Sequence, residues 1–202
     1  MRTYTVLRVT PASGIPLFEQ HVRRLGADSK GALRHFASQA MPGIYRLWWD
    51  GKQFDALKVE GSALKEGMPT RFAVSPFAAQ QGRFKKPAPP SAYDSVRVDG
   101  VATLLTDVGG VELYESCRAS LLAWDGAMLV LPREDIPAVA SVTEAEVLAK
   151  FPYRRAVLSV KSDWPLLLLN AVVGTCGITV EGRAPFPADV RTRLDAVLTA
   201  DA

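Results

Sequence analysis

Two adjacent lysines, Lys85 and Lys86, stand just before a proline break at Pro87, Pro89 and Pro90. A lysine amine reacts with an aldehyde, or takes a proton as a base, only when it is partly desolvated and therefore neutral. A point where a linker meets a folded core permits this, although the same residues also suit a solvated turn. Beyond the prolines run Tyr93-Asp94-Ser95-Val96-Arg97, an apolar strand pattern, and then Glu115-Ser116-Cys117-Arg118-Ala119-Ser120. On residue type alone, Glu115 is equally a surface carboxylate at a strand end.

The rest of the composition narrows the classes. Apolar residues make up 48% of the 202 and charged residues 22%, enough to fill a core. The net charge is +3 and no run of Lys or Arg exceeds two, which argues against nucleic-acid and membrane-surface roles. The longest apolar stretches, such as Leu166–Leu169 and Ala127–Leu131, are far short of a bilayer span. Met1-Arg2-Thr3 opens directly into a strand-like run, so no signal peptide is expected. Cys117 and Cys176 have no metal-like spacing, and with only two histidines no metal site is expected; reduced cytoplasmic thiols fit better.

These residues need elements to hold them. Thr3–Val9 reads as a strand, and Leu17 to about Ala40 as a helix interrupted at Gly26 or Gly31. Ile44–Trp49, the Asp50-Gly51 turn and Phe54–Val59 read as a hairpin, and Arg71–Phe77 as a further strand of the same antiparallel unit. The predicted organisation is a small N-terminal α+β lobe over 1–80, a proline-rich linker over 81–90 and a larger C-terminal lobe over 91–202. In the larger lobe, Ala92–Val98 reads as a short helix. Ala102–Thr106, Val111–Tyr114, Ser120–Trp124 and Ala127–Leu131 read as strands, the last two joined by Asp125-Gly126. A helix opens near Val142 with Ser141 or Thr143 as its cap. Arg155–Val160, Leu166–Val172 and Gly177–Val180 read as strands, and Pro187–Leu198 as a closing helix.

In this order the segments resemble class IV, or fold type IV, pyridoxal-phosphate enzymes. That family includes the branched-chain and D-amino-acid aminotransferases and aminodeoxychorismate lyase. The family lysine precedes a Tyr-Asp-x-x-Arg helix by seven residues, the separation of Lys86 from Tyr93, so the match selects Lys86 over Lys85. The family glutamate, which pairs with the pyridinium nitrogen, corresponds to Glu115, and Ser120 stands where an asparagine is usual. Arg118 is a bulky charge among positions that are usually small. Glu19-Gln20-His21-Val22-Arg23-Arg24-Leu25 resembles the Glu-His-x-x-Arg-Leu helix, and by that match Arg24 reaches the phosphate. Val142-Thr143 resembles the family's Gly-Ile/Val-Thr-Arg turn, with Ser141 for the glycine and Glu144 for the arginine, and assigns Thr143 to the phosphate. Asn170 and Ala171 match a strand-end turn that also touches phosphate, and Tyr4 matches a first-strand aromatic beside cofactor or substrate.

The resemblance implies an α+β, two-lobe, D-amino-acid aminotransferase-like fold, with a mixed β lobe C-terminal to the smaller one and pyridoxal 5'-phosphate between them. It implies an aminotransferase working on a small amino acid or amino compound through a lysine Schiff base, with Lys86 as general base. The alternatives are an aminodeoxychorismate lyase-like reaction or a relative that has lost turnover. It also implies a cytoplasmic homodimer whose partners are small amino and keto compounds rather than nucleic acid or membrane.

Overall fold

The structure, a computed structural model, describes residues 3–12, 14–60, 64–84 and 91–200. Among these residues the strands form one sheet of three and one of nine.

The smaller sheet is an antiparallel meander of β1 (Thr3–Val9), β2 (Gly43–Trp49) and β3 (Phe54–Val59), in the order β1-β2-β3. Alternation decides its two faces. Leu7, Val9, Tyr45, Leu47 and Trp49 point to one side and bury against α1 (Phe18–Leu25) and α2 (Lys30–Gln39). Tyr4, Val6, Arg46 and Trp48 take the opposite side, with Tyr4 paired to Trp48 and Val6 to Arg46 across the strands. The helical stretch breaks at Gly26, whose φ of +120° suits glycine, and a single 3-10 turn (Ala27–Ser29) links α1 to α2.

The large sheet comprises β4 (Met68–Val74), β5 (Ala102–Thr106), β6 (Glu112–Ser116), β7 (Ser120–Trp124), β8 (Leu129–Pro132), β9 (Tyr153–Ala156), β10 (Leu158–Ser159), β11 (Leu166–Asn170) and β12 (Gly174–Thr179). Their order is β10-β6-β5-β4-β12-β11-β7-β8-β9. The two edge strands, β9 and β10, are separated in the chain by Val157 alone. One residue spans only about 3.8 Å between successive Cα atoms, so the sheet must curl until its edges meet. The single strand expected over Arg155–Val160 is divided by sheet closure between opposite edges.

Curling explains the leucine-rich strands. Leu121, Ala123, Leu166 and Leu168 face an inner core with Leu104 and Leu113. Their neighbours Leu122, Leu167 and Leu169 face outward, under α4 (Val142–Lys150) and α5 (Ala188–Leu198), against Val142, Val147, Val190 and Leu194. A strand buried on both faces reads as a continuous apolar run. The strand near Arg71 does not join the small antiparallel unit expected to hold it. In the structure it is β4, which pairs in parallel with both β5 and β12 of the large sheet. Leu17 joins the two bodies. It precedes α1 yet belongs to the apolar cluster of Leu122 and Leu169, and its backbone is left-handed (φ 59°).

Gly174 shapes the turn between β11 and β12. Its φ is +77°, and a Cβ there would stand 2.7 Å from Asp195 Oδ1 and 2.8 Å from Thr199 Cγ2. Asp195 is not free to move away, because it accepts from the Thr175 N–H at 2.7 Å and the Thr175 hydroxyl at 2.9 Å. Gly174→Ala is therefore expected to lower unfolding free energy by about 1–2 kcal/mol, read as a drop in the urea midpoint. A midpoint equal to wild type would show that this turn has slack.

Candidate active site

The N-terminal sheet and the large sheet meet at a narrow cleft of about 70 Å³. Five pieces of chain bring the expected residues to its wall. The last turn of α1 supplies Arg24, the end of β6 supplies Glu115, the start of α4 supplies Thr143, and the β11–β12 turn supplies Asn170 and Ala171. Ser120, the first residue of β7, completes it. The register explains why these distant residues converge: Ser120 lies opposite Leu169, so the start of β7 and the end of β11 open on the same edge.

Glu115 is buried rather than at the surface. Its Oε1 accepts from the Tyr93 hydroxyl at 2.7 Å and its Oε2 from the Val139 N–H at 3.1 Å. Burial and the facing carboxylate push the Tyr93 phenol far above its ordinary range, so Tyr93 is a fixed donor. Phe77 packs 5.2 Å from the Tyr93 ring, which fixes its plane.

Arg24 donates through Nη2 to the Ala140 carbonyl, next to the start of α4. Burial lowers its pKa to about 10 against the pull of Tyr4 and Glu115, and it stays charged at neutral pH. Thr143 is buried, and its hydroxyl lies 2.8 Å from Ser141 Oγ. Ser141 caps α4 by accepting from the Glu144 N–H at 3.2 Å, which answers the choice between Ser141 and Thr143. The cleft thus has a carboxylate on one side and, on another, a guanidinium beside a helix N-terminus, an arrangement that favours an anion there.

Asn170 fixes the turn that carries it. Its side-chain N–H donates to the Arg118 carbonyl at 2.8 Å and its Oδ1 accepts from the Val172 N–H at 2.8 Å. Tyr4 is fully buried on the cleft-facing side of β1, with its ring 6.5 Å from Trp48. Burial raises its phenol to about 12 while Arg46 and Arg24 pull it down. The residue of β1 that reaches the cleft wall is Val6. His21 lies away from it, buried, with Nδ1 2.7 Å from Thr5 Oγ1. Glu144 also turns away: Arg83 at 3.3 Å and Arg155 at 2.9 Å hold it as a tie between the loop before β5 and β9. Lys85 and Lys86 lie outside the described residues.

Sequence reasoning gave no role to Tyr93 or Val139, which hold Glu115. The Tyr93 motif was visible, but its bond to Glu115 crosses 22 residues and depends on folding. Among the described residues, no group of acidic, histidine or cysteine side chains could hold a metal ion, and no helix is long and apolar enough to cross a membrane.

Solved structures with this arrangement of elements exist. The 4-amino-4-deoxychorismate lyase of Pseudomonas aeruginosa superposes with a TM-score of 0.69 at 16% identity, over 98% of this chain and 89% of that one. This is the fold type IV architecture. A fold IV transaminase from Curtobacterium pusillum gives a TM-score of 0.67 at 14% identity, over 98% of this chain and 83% of that chain. A hypothetical aminotransferase of Mycobacterium tuberculosis in its PLP-bound form gives 0.67 at 14%, over 98% and 87%. No protein-family model matches the sequence, and no curated protein matches it. The fold type IV assignment therefore rests on three-dimensional likeness, and it agrees with the two-lobe α+β fold expected from the motifs.

Proposed function

We propose that the protein is a pyridoxal-phosphate-dependent enzyme of the aminotransferase type, acting on a small amino compound. One observation carries this reading: Arg24, Glu115, Ser120, Thr143, Asn170 and Ala171, drawn from five separate parts of the chain, line a single cleft in a fold type IV protein. Their chemistry fits the cofactor. Glu115, held by Tyr93 and Val139, is a carboxylate acceptor for a protonated ring nitrogen. Arg24, with the Thr143 hydroxyl and the start of α4, suits a phosphate. Bound there, the cofactor supplies an electron sink for the charge left when a substrate loses its Cα proton.

The protein's own part is to bind, orient and move protons. Lys86 is proposed as the anchor and, once its amine is free, as the base that takes the Cα proton. Asn170 keeps the β11–β12 turn closed on the Arg118 carbonyl and so fixes the cleft wall. The likeness to the Pseudomonas aeruginosa lyase supports a second reading, in which the same proton removal leads to loss of a linked group rather than amino transfer. We also propose a cytoplasmic homodimer. The half-exposed Leu57 on the edge strand β3 supports the pairing, and the free thiols of Cys117 and Cys176 support the location.

The test is exchange of the Cα proton of amino acids in deuterium oxide, followed by proton NMR with pyridoxal phosphate added. Protein-dependent exchange with at least one amino donor is the expected result. The rate of free pyridoxal phosphate for every donor would remove the enzyme reading.

A further inference from the structure

Arg118 lines the same cleft as Arg24 and Glu115 but sits on the turn between β6 and β7. Its main chain is locked: the N–H donates to Ser116 Oγ at 3.2 Å and the carbonyl accepts from Asn170 at 2.8 Å. The side chain therefore extends from a fixed base, and it is 27% exposed. Arg97 lines a small recess beside it together with Cys117. Burial, and next the like charge of Arg97, weaken the hold of Arg118 on its proton.

The protein compensates this guanidinium poorly. Its ion pair is with Asp99 at 3.4 Å, and Asp99 is 88% exposed. Exposed pairs contribute only about 0–1 kcal/mol. Arg97 is better served, by Asp94 at 2.6 Å. A cationic fork half-withdrawn from water, next to a second cation and backed among the described residues by one solvated carboxylate, is matched by an anion arriving from the cleft. A planar carboxylate suits it, because a guanidinium can meet both oxygens at once. Arg24, tied to the Ala140 carbonyl at the start of α4, forms a different seat.

We propose that Arg118 is the specificity-determining residue of the cleft and takes a carboxylate of the substrate, so that the amino compound handled is a carboxylate-bearing one. This rests on the reading of the cleft given under Proposed function.

Glutarate, a dicarboxylate without an amine, is titrated calorimetrically into the protein saturated with pyridoxal phosphate, with glutaramide as the uncharged control. Wild type should bind glutarate and not glutaramide, and Arg118→Gln should weaken glutarate binding about tenfold or more. Asp99→Asn, which removes the competing carboxylate at an exposed position, should tighten it roughly twofold or more. Equal glutarate affinity in wild type and folded Arg118→Gln would overturn the assignment, since the anion would then sit elsewhere. If Arg118→Gln does not fold, an unchanged affinity in Asp99→Asn overturns it instead. The visible absorbance of the cofactor is read in the same samples. Its absence would remove the cofactor reading, while the difference between wild type and Arg118→Gln still decides whether Arg118 binds a carboxylate.

Discussion

Glu115→Gln is expected to lower Cα-proton exchange roughly 10²- to 10³-fold while leaving the fold in place. The amide is nearly the same shape as the carboxylate. Its oxygen can keep the Val139 N–H, and its NH2 can donate to the Tyr93 oxygen, which accepts as readily as it donates. The Val139 N–H and the Tyr93 oxygen keep partners, while the Tyr93 O–H loses its acceptor at a cost of about 1–3 kcal/mol. What is lost is the negative charge proposed to keep a proton on the cofactor's ring nitrogen. Glu115→Ala separates the two effects. It removes the charge and also strands Tyr93 and Val139, so it should lower both exchange and thermal midpoint. Wild-type exchange in Glu115→Gln would mean that the carboxylate serves structure alone.

The second large effect is on stability against pH. His21 is fully buried, with Thr5 at Nδ1, and burial lowers its pKa to about 3, helped by the nearby charge of Arg24. In the unfolded chain the imidazole returns to its ordinary value of 6.5. Between these values the unfolded state binds the proton and the native state does not. The contribution of neutral His21 is therefore complete above 6.5 and is lost as pH falls toward about 3, at up to about 1.4 kcal/mol per pH unit. Urea unfolding at pH 7.5, 6 and 5 should show wild type losing stability more steeply than His21→Gln, which lacks the titrating ring. Parallel slopes, or a His21 ring that titrates near 6.5 by NMR in the native protein, would contradict this.

How much of this was legible in the sequence depended on distance along the chain. The Asp125-Gly126 hairpin is local and follows from its own residues, while the cap and the helix break were each legible to one of two residues, Ser141 or Thr143 and Gly26 or Gly31, of which the fold uses Ser141 and Gly26. Pairing between distant strands is not local. Nothing near Arg71 announces that β4 will lie in parallel between β5 and β12, and nothing near Val157 announces that the sheet closes there. The site divided the same way. Arg24, Glu115, Thr143 and Asn170 were selected by motif order, and the fold sets them around one cleft. Residue types alone allowed Glu115 to be a surface group, and only the curled sheet with Tyr93 above it makes it buried. Glu144 could be seen as a departure from the motif, but its partners Arg83 and Arg155 could not.

The central claim is a cofactor anchored at one lysine, and the most direct measurement is where borohydride fixes it. Wild type, Lys85→Ala and Lys86→Ala would each be incubated with pyridoxal phosphate, their visible spectra recorded, reduced with borohydride and mapped by peptide mass spectrometry. The predicted result is a visible band in wild type and Lys85→Ala that reduction converts to a stable adduct on Lys86, with neither band nor adduct in Lys86→Ala. No band in wild type, or an adduct scattered over other lysines, would contradict the account and leave a fold type IV protein without this chemistry.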